Sequence, residues 1–231
     1  MWFLAEGVQE GVRLLAEGHP ETWSAIRVSV VMSAAAMAVS LALGTPLGFL
    51  LGFTTFRGKR LVRMLVETSL SIPTVVIGLL VYAFISRRGP LGDMGLLFTI
   101  EGMVLGEVLL ALPIVIALTA QSIESLDARL PVTLRTLGAS PMQEAWTCLL
   151  EARHGLMLAG VAAFGRVFSE IGICMMLGGN IKWHTRTITT AIALETGKGE
   201  FAQGIALGLV LMLIALLVNV VLTWLRRRGE V

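Results

Sequence analysis

Pro131-Val-Thr-Leu-Arg-Thr-Leu-Gly138 runs into Ala139-Ser-Pro-Met-Gln143, at the centre of a polar island, residues 124 to 154, flanked by two membrane-length apolar stretches. Pro131 suits the first turn of a helix, and Gly138 suits the left-handed stop that follows one. Ser140 can cap a second helix, Pro141 can start it, and Gln143 can reach back to complete a capping box. The spacing predicts two short helices meeting at a tight turn. Along the second, Met142, Ala145, Trp146 and Leu149 fall at i, i+3, i+4 and i+7, giving one apolar face opposite Gln143, Glu144 and Thr147. Such a helix either floats at the headgroup level or docks on another protein, and periodicity alone does not choose.

Outward from the island, composition sets the class. A mean hydropathy of +0.82, with 55% hydrophobic and 15% charged residues, belongs to a membrane protein. A formal charge of +2 gives no reason to expect a nucleic-acid partner. Cys148 and Cys174 sit in the island and in an apolar segment, so neither a disulfide framework nor a metal site follows. Met1-Trp-Phe-Leu-Ala-Glu6 has no basic leader, so the first span is expected to direct its own insertion.

Runs of roughly twenty apolar residues predict five spans, near 26–54, 65–86, 102–123, 156–179 and 201–225. The class expected is an all-α membrane protein with about five transmembrane helices and its termini on opposite sides. Arg57, Lys59, Arg60, Arg63, Arg129, Arg135, Arg153 and Arg226-Arg-Arg228 share one side, which marks it as cytoplasmic. Arg13, Arg27, Arg87, Arg88, Lys182, Arg186 and Lys198 fall on the other. The N-terminus is therefore expected outside and the C-terminus inside. Leu4, Val8, Val12 and Leu15 suggest an amphipathic segment over 1–22, lying on the outer surface, ahead of a membrane domain over 23–231.

Gly44, Gly48 and Gly52 recur every four residues on the first span, and Gly204 and Gly208 repeat the device on the last. Small residues so spaced let helix backbones approach closely, which argues for a bundle. Five helices make a thin wall for a solute path, so a pathway between two copies of the chain is expected. Ionisable groups within spans face protein or water, which singles out Glu107, Arg166 and Glu170. Arg166 lies about ten residues, roughly 15 Å, into its span and is four residues before Glu170, so the two can pair, with Ser169 beside them and Glu107 a possible third member. Pro73 and Pro113 are expected to interrupt the second and third spans, and Gly178-Gly-Asn180 to end the fourth.

Leu134-Arg-Thr-Leu-Gly-Ala-Ser-Pro141, with Trp146 and the apolar Leu149-Leu150 end, resembles the cytoplasmic coupling loop of ABC importer permeases. The resemblance departs where that family has Glu-Ala-Ala, for this chain has Val132, Thr133 and Leu134, and where Leu-Pro is usual it has Leu150 and Glu151. Ser71-Ile-Pro-Thr-Val-Val-Ile-Gly-Leu79, Ser86-Arg-Arg-Gly-Pro-Leu-Gly92, Phe164-Gly-Arg-Val-Phe-Ser-Glu-Ile-Gly172, Gly178-Gly-Asn-Ile181 and Thr185–Thr196 are similar to the molybdate and tungstate branch, the last two most to tungstate permeases.

The resemblance implies a type I importer permease, MetI-like in fold, in the cytoplasmic membrane. It implies a coupling loop at 124–154 whose ATPase contacts come from Arg135, Thr136, Leu137, Gly138, Ala139, Ser140, Pro141, Glu144 and Trp146. It also implies a pair of ATPase subunits that bind the ATP, an external oxyanion-binding protein, and a homodimeric membrane unit without a cofactor of its own. Ser69, Ser71, Pro73, Thr74, Glu107, Arg166, Ser169 and Glu170 are then candidates for the pathway or gate, their hydroxyls and backbone donors passing a tetrahedral dianion. Tungstate and molybdate both stay open as the anion. The chain has no Gly-rich Lys-Ser/Thr phosphate loop. Two other classes weigh less. A proton-coupled carrier through Glu107, Arg166 and Glu170 lacks an inverted repeat. An intramembrane enzyme lacks ligands within the spans, because His19, His154 and His184 all lie outside them.

Overall fold

The structure, a computed structural model, describes residues 9, 10, 13 and 16–228, with side chains as far as residue 220. The surface segment expected at Leu4, Val8, Val12 and Leu15 lies outside the described residues, as do the side chains of Arg226-Arg-Arg228.

The regular structure of the described residues is helical. Helix α1 is Pro20–Phe53, α2 is Lys59–Ser69, α3 is Thr74–Ile85 and α4 is Ile100–Glu124. The island supplies α5, Arg129–Thr136, and α6, Pro141–Glu151. Then come α7, Arg153–Phe168, a π-helical stretch Cys174–Gly178, α8, Ile188–Gly197, and α9, Phe201–Arg228.

Helices α1 and α4, with α9 as far as Val220, are each long and apolar enough to cross a membrane, and α2 with α3 makes a fourth crossing if that bent pair counts as one span. Two of the five expected spans are therefore broken. The second bends by 99° between α2 and α3. Pro73 explains the break: it stands just before α3 with φ −59° and ψ 133°, and it forces the residue ahead of it out of the helical region. The fourth is helical only to Phe168, and the chain restarts near Gly172 as a short π turn. Pro113, by contrast, does not interrupt the third span, since α4 runs through it without a break. Packing on α1 and α7 holds that helix, and lipid-buried helices tolerate an internal proline when their neighbours support it.

Helices α1 and α4 form the principal packed pair, and the glycine stripe makes the approach possible. A Cβ on Gly44 would stand 2.8 Å from Val115 Cγ1, one on Gly48 2.6 Å from the Ile116 carbonyl, and one on Gly52 2.7 Å from the Ala120 carbonyl. The repeat on α9 is only half used. Gly204 meets Thr196 of α8, while among the described residues Gly208 has nothing within 4 Å. One core joins Met32, Ile77, Val81, Ile85, Met103 and Leu177, and a second joins Ala36, Val115, Ala163 and Val167. Helix α8 is tied to α1 through Ser29, whose hydroxyl accepts the Ile188 N–H at 2.9 Å.

Candidate functional site

The island folds by local rules. Gly138 takes φ +80°, donates its N–H to Arg135 O at 3.0 Å, and lets Ala139 donate to Leu134 O at 3.0 Å. Those two bonds are the paired closure of a left-handed helix stop. Ser140 then starts α6 with a complete capping box: its hydroxyl accepts from Gln143 N–H, and Gln143 Oε1 accepts from Ser140 N–H at 2.8 Å.

A tertiary fork locks the two helices together. Arg135 Nε and Nη2 donate to the two oxygens of Glu144, each at 2.8 Å. The Glu144 side chain is 6% exposed and that of Arg135 68%, so the guanidinium covers a carboxylate that faces inward. The face expected for Glu144 is thus reversed. The inner face of α6 is Glu144 and Cys148, whereas Met142 (78%) and Trp146 (60%) stand out from the bundle beside Leu137 (78%). Hydrogen bonds from Arg135 hold the Glu144 carboxyl below its ordinary value and raise the guanidinium. Burial, with the Glu144 charge added, pushes the Cys148 thiol up. Behind the fork lies a cavity of about 280 Å³, walled by Gly52, Ile123, Asp127, Pro131 and Cys148. Beyond it, Glu124 at the end of α4 accepts Lys59 Nζ at 3.1 Å and Arg63 Nη1. That knot joins α2 to α4, and charge spacing alone did not single it out.

The two broken spans meet at their breaks. Glu170 caps the restart of the fourth, accepting from Gly172 N–H at 2.9 Å and from Ile173 N–H at 3.3 Å, and it pairs with Arg166 Nη1 at 3.2 Å. Its backbone carbonyl accepts Thr189 Oγ1–H at 2.8 Å. Thr74 lies alongside: a Cβ on Gly172 would stand 3.2 Å from Glu170 Oε1 and 3.5 Å from Thr74 Oγ1. Arg166, Glu170 and Thr74 are therefore brought together. Glu107 joins the group differently from the expectation. It is fully buried in α4, with Oε1 accepting from Cys174 Sγ at 3.3 Å, and among the described residues Oε2 has no hydrogen-bond partner. Cys174 was not foreseen as its partner, because the two are far apart in sequence.

The candidate hydroxyls divide in two. Ser69 donates to Leu65 O at 2.7 Å and lines an apolar groove with Ile72, Leu109 and Pro113. Ser169 donates into its own helix, with Gly165 O at 2.9 Å. Among the described residues, Ser71 and Thr74 have hydroxyls with no side-chain bond, so these two keep a proton to offer an anion. Ser71 and Pro73 are exposed at the elbow between α2 and α3.

Comparison with known proteins gives the setting. The tungstate uptake system permease protein TupB of Campylobacter jejuni subsp. jejuni is 46% identical over 97% of this chain and 94% of its own length. Its counterpart in Peptoclostridium acidaminophilum is 38% identical over 96% and 97%. In structure, the inward-facing MetNI methionine ABC transporter matches with a TM-score of 0.73, covering 90% of this chain and 94% of that one at 18% identity, a likeness of fold. The fold is accordingly the MetI-like one of type I importer permeases. Residues 44–230 match the family of binding-protein-dependent transport system inner membrane components, and the chain belongs to that family.

Proposed function

We propose that this chain is the permease subunit of an ATP-driven importer that carries an oxyanion, tungstate before molybdate, across the cytoplasmic membrane, with its N-terminus outside and its C-terminus inside. The observation that carries this reading is the 46% identity over 97% of the chain to a tungstate permease. Two ATPase subunits bind and hydrolyse the ATP, an external binding protein delivers the anion, and a second copy of the chain completes the pathway. The permease needs no cofactor of its own.

The exposed Leu137, Met142 and Trp146 are the surface that meets the ATPase. Arg135, Thr136, Gly138, Ala139, Ser140, Pro141 and Glu144 set its shape. Because Arg135 and Glu144 fork and the turn is doubly bonded, the pair α5 and α6 moves as one body. Only Ala152 separates α6 from α7, a helix of 16 residues, roughly 24 Å, whose far end carries Arg166. Closure of the ATPase pair would swing that lever and shift the breaks at Ser71–Pro73 and Ser169–Glu170 from inward-open to outward-open. Ser71, Thr74 and the Arg166 guanidinium supply donors for a passing tetrahedral dianion. Selectivity falls mainly to the binding protein.

Proteoliposomes holding the permease, its ATPase and the loaded binding protein test this directly. Uptake of tungstate is expected only with ATP at the ATPase side. Uptake by the permease alone, or ATP-driven uptake of neither tungstate nor molybdate, would reject the assignment.

A further inference from the structure

We propose that Arg87 and Arg88 form a recruiting site for the tetrahedral oxyanion at the outer end of the two interrupted spans. The proposal rests on the reading of the chain as an oxyanion permease and adds a site which that reading leaves unused. The pair lies in Ser86-Arg-Arg-Gly-Pro-Leu-Gly92, between α3 and α4. Helix α4 has 25 residues, roughly 37 Å of length, and its other end leads to the α5–α6 pair, so the 86–99 loop stands at the opposite end of the bundle. There a cavity of about 700 Å³ is lined by Tyr82, Ser86, both arginines, Leu97 and Phe98.

The walls of this cavity are the end of one broken span and the 86–99 loop, and the loop is held by the other broken span. One wall is the end of α3, where Thr74, Gly78 and Tyr82 follow at four-residue steps along one ridge. Thr74 stands at the foot of that ridge beside Gly172, and Gly78 faces Met176 of the π turn, a Cβ there lying 3.0 Å from its sulfur. The other wall is Phe98, which donates its N–H to Leu177 O at 2.8 Å and lays its ring against Gly179. The breaks of the two spans thus meet at one level, and the cavity is framed by the end of α3 and by a loop residue, Phe98, that the π turn holds.

Charge gives the site its ligand. Among the described residues, Arg87 and Arg88 have no ion pair and no side-chain hydrogen bond, while Arg63, Arg135, Arg166 and Arg186 each hold a glutamate. Asp93, the carboxylate of the 86–99 loop, is exposed and pairs with neither. Uncompensated guanidinium groups on a concave surface concentrate anions, and their forked N–H donors match the edge of a tetrahedral oxyanion. The loop is held to α3: Leu91 N–H donates to Phe84 O at 2.9 Å, and a Cβ on Gly89 would stand 2.2 Å from Ala83 O, so the chain folds tightly over the last turn of that helix. The arginines are thereby presented from a fixed backbone.

The test uses the full chain assembled with its ATPase in nanodiscs and phenylglyoxal, which modifies free guanidinium groups, with the sites read by peptide mass spectrometry. Saturating sodium tungstate is expected to lower modification of Arg87 and Arg88 about fivefold and to leave Arg57 and Arg60 at the other end unchanged. No protection, or equal protection by sodium chloride at the same ionic strength, overturns the proposal. In proteoliposomes, Arg87→Gln with Arg88→Gln is expected to cut the initial rate of tungstate uptake about tenfold, while the loaded binding protein still stimulates ATP hydrolysis. Loss of that stimulation would assign the arginines to docking the binding protein and would also overturn the proposal. Tungstate protection in a wild-type complex that shows no ATP-driven uptake would uphold the site and defeat the permease reading.

Discussion

Gly138 shows how one backbone angle can set the turn between two helices. Its φ of +80° suits glycine, and a Cβ there would meet nothing within 4 Å, so a substitution costs conformation rather than space. Gly138→Val is expected to weaken the α5–α6 turn by about 1–2 kcal/mol and to lower both tungstate uptake and co-purification of the ATPase. Unaltered assembly and uptake would reject the coupling role. Glu144 offers a second test at this scale. Its carboxyl is held below the ordinary value of 4.5, so the fork contributes stability above that value and loses it as pH falls through the lower folded one. Binding of the ATPase should therefore stay level from neutral pH down to about 5 and weaken below it, and Glu144→Gln should be weaker throughout with that acid dependence removed. An affinity titration across pH, by fluorescence anisotropy, checks both. The turn and the capping box were legible because each is made within a few residues. The facing of Glu144 was not, because periodicity defines the faces of a helix and not which neighbour each one meets.

At the level of elements, the packing glycines and the broken spans do different work. A Cβ on Gly48 would stand 2.6 Å from a backbone carbonyl of α4, an atom that cannot swing aside. Gly48→Ala is expected to force α1 and α4 apart at a cost of about 1–3 kcal/mol, read as a lower melting temperature in detergent. Gly208→Ala, with open space around it, should melt like the wild type. Equal melting of the two variants would remove the α1–α4 seam as the main support of the bundle. The stripe could be read from four-residue spacing, yet spacing could not tell Gly44, Gly48 and Gly52, which meet a neighbour, from Gly208, which does not. Proline shows the same limit. Pro73 breaks its span and Pro113 does not, and the difference lies in the helices around α4 rather than in the proline. The break after Phe168 has a local cause that apolar-run counting passes over. Ser169 bonds back to the carbonyls of Gly165 and Arg166, and Glu170 turns its carboxylate onto the N–H groups of Gly172 and Ile173.

For the whole molecule, the decisive feature is polar surface where a membrane interior is expected. The Arg166 side chain is 45% exposed although its partner Glu170 is buried, and the elbow at Ser71 to Pro73 is exposed as well. An arginine left facing hydrocarbon costs about 2.5–3.5 kcal/mol or more, and non-helical backbone at membrane depth is tolerated only against protein or water. Both features therefore call for a cover that is partly protein and partly aqueous. The second copy proposed above would supply it, because under a two-fold axis the same face on each copy lines a shared path. A cysteine placed on that face should find its counterpart across the axis. Ser71→Cys is well suited, since among the described residues its own hydroxyl has no side-chain bond and the native Cys148 and Cys174 are buried. With a short bismaleimide in native membranes, the variant is expected to run as a covalent dimer and the wild type as a monomer. The yield should also change when the ATPase is trapped with ATP, because the proposed transport step shifts the elbow. A variant that stays monomeric in every nucleotide state would place the elbow away from the axis and leave Arg166 to be covered by some other neighbour.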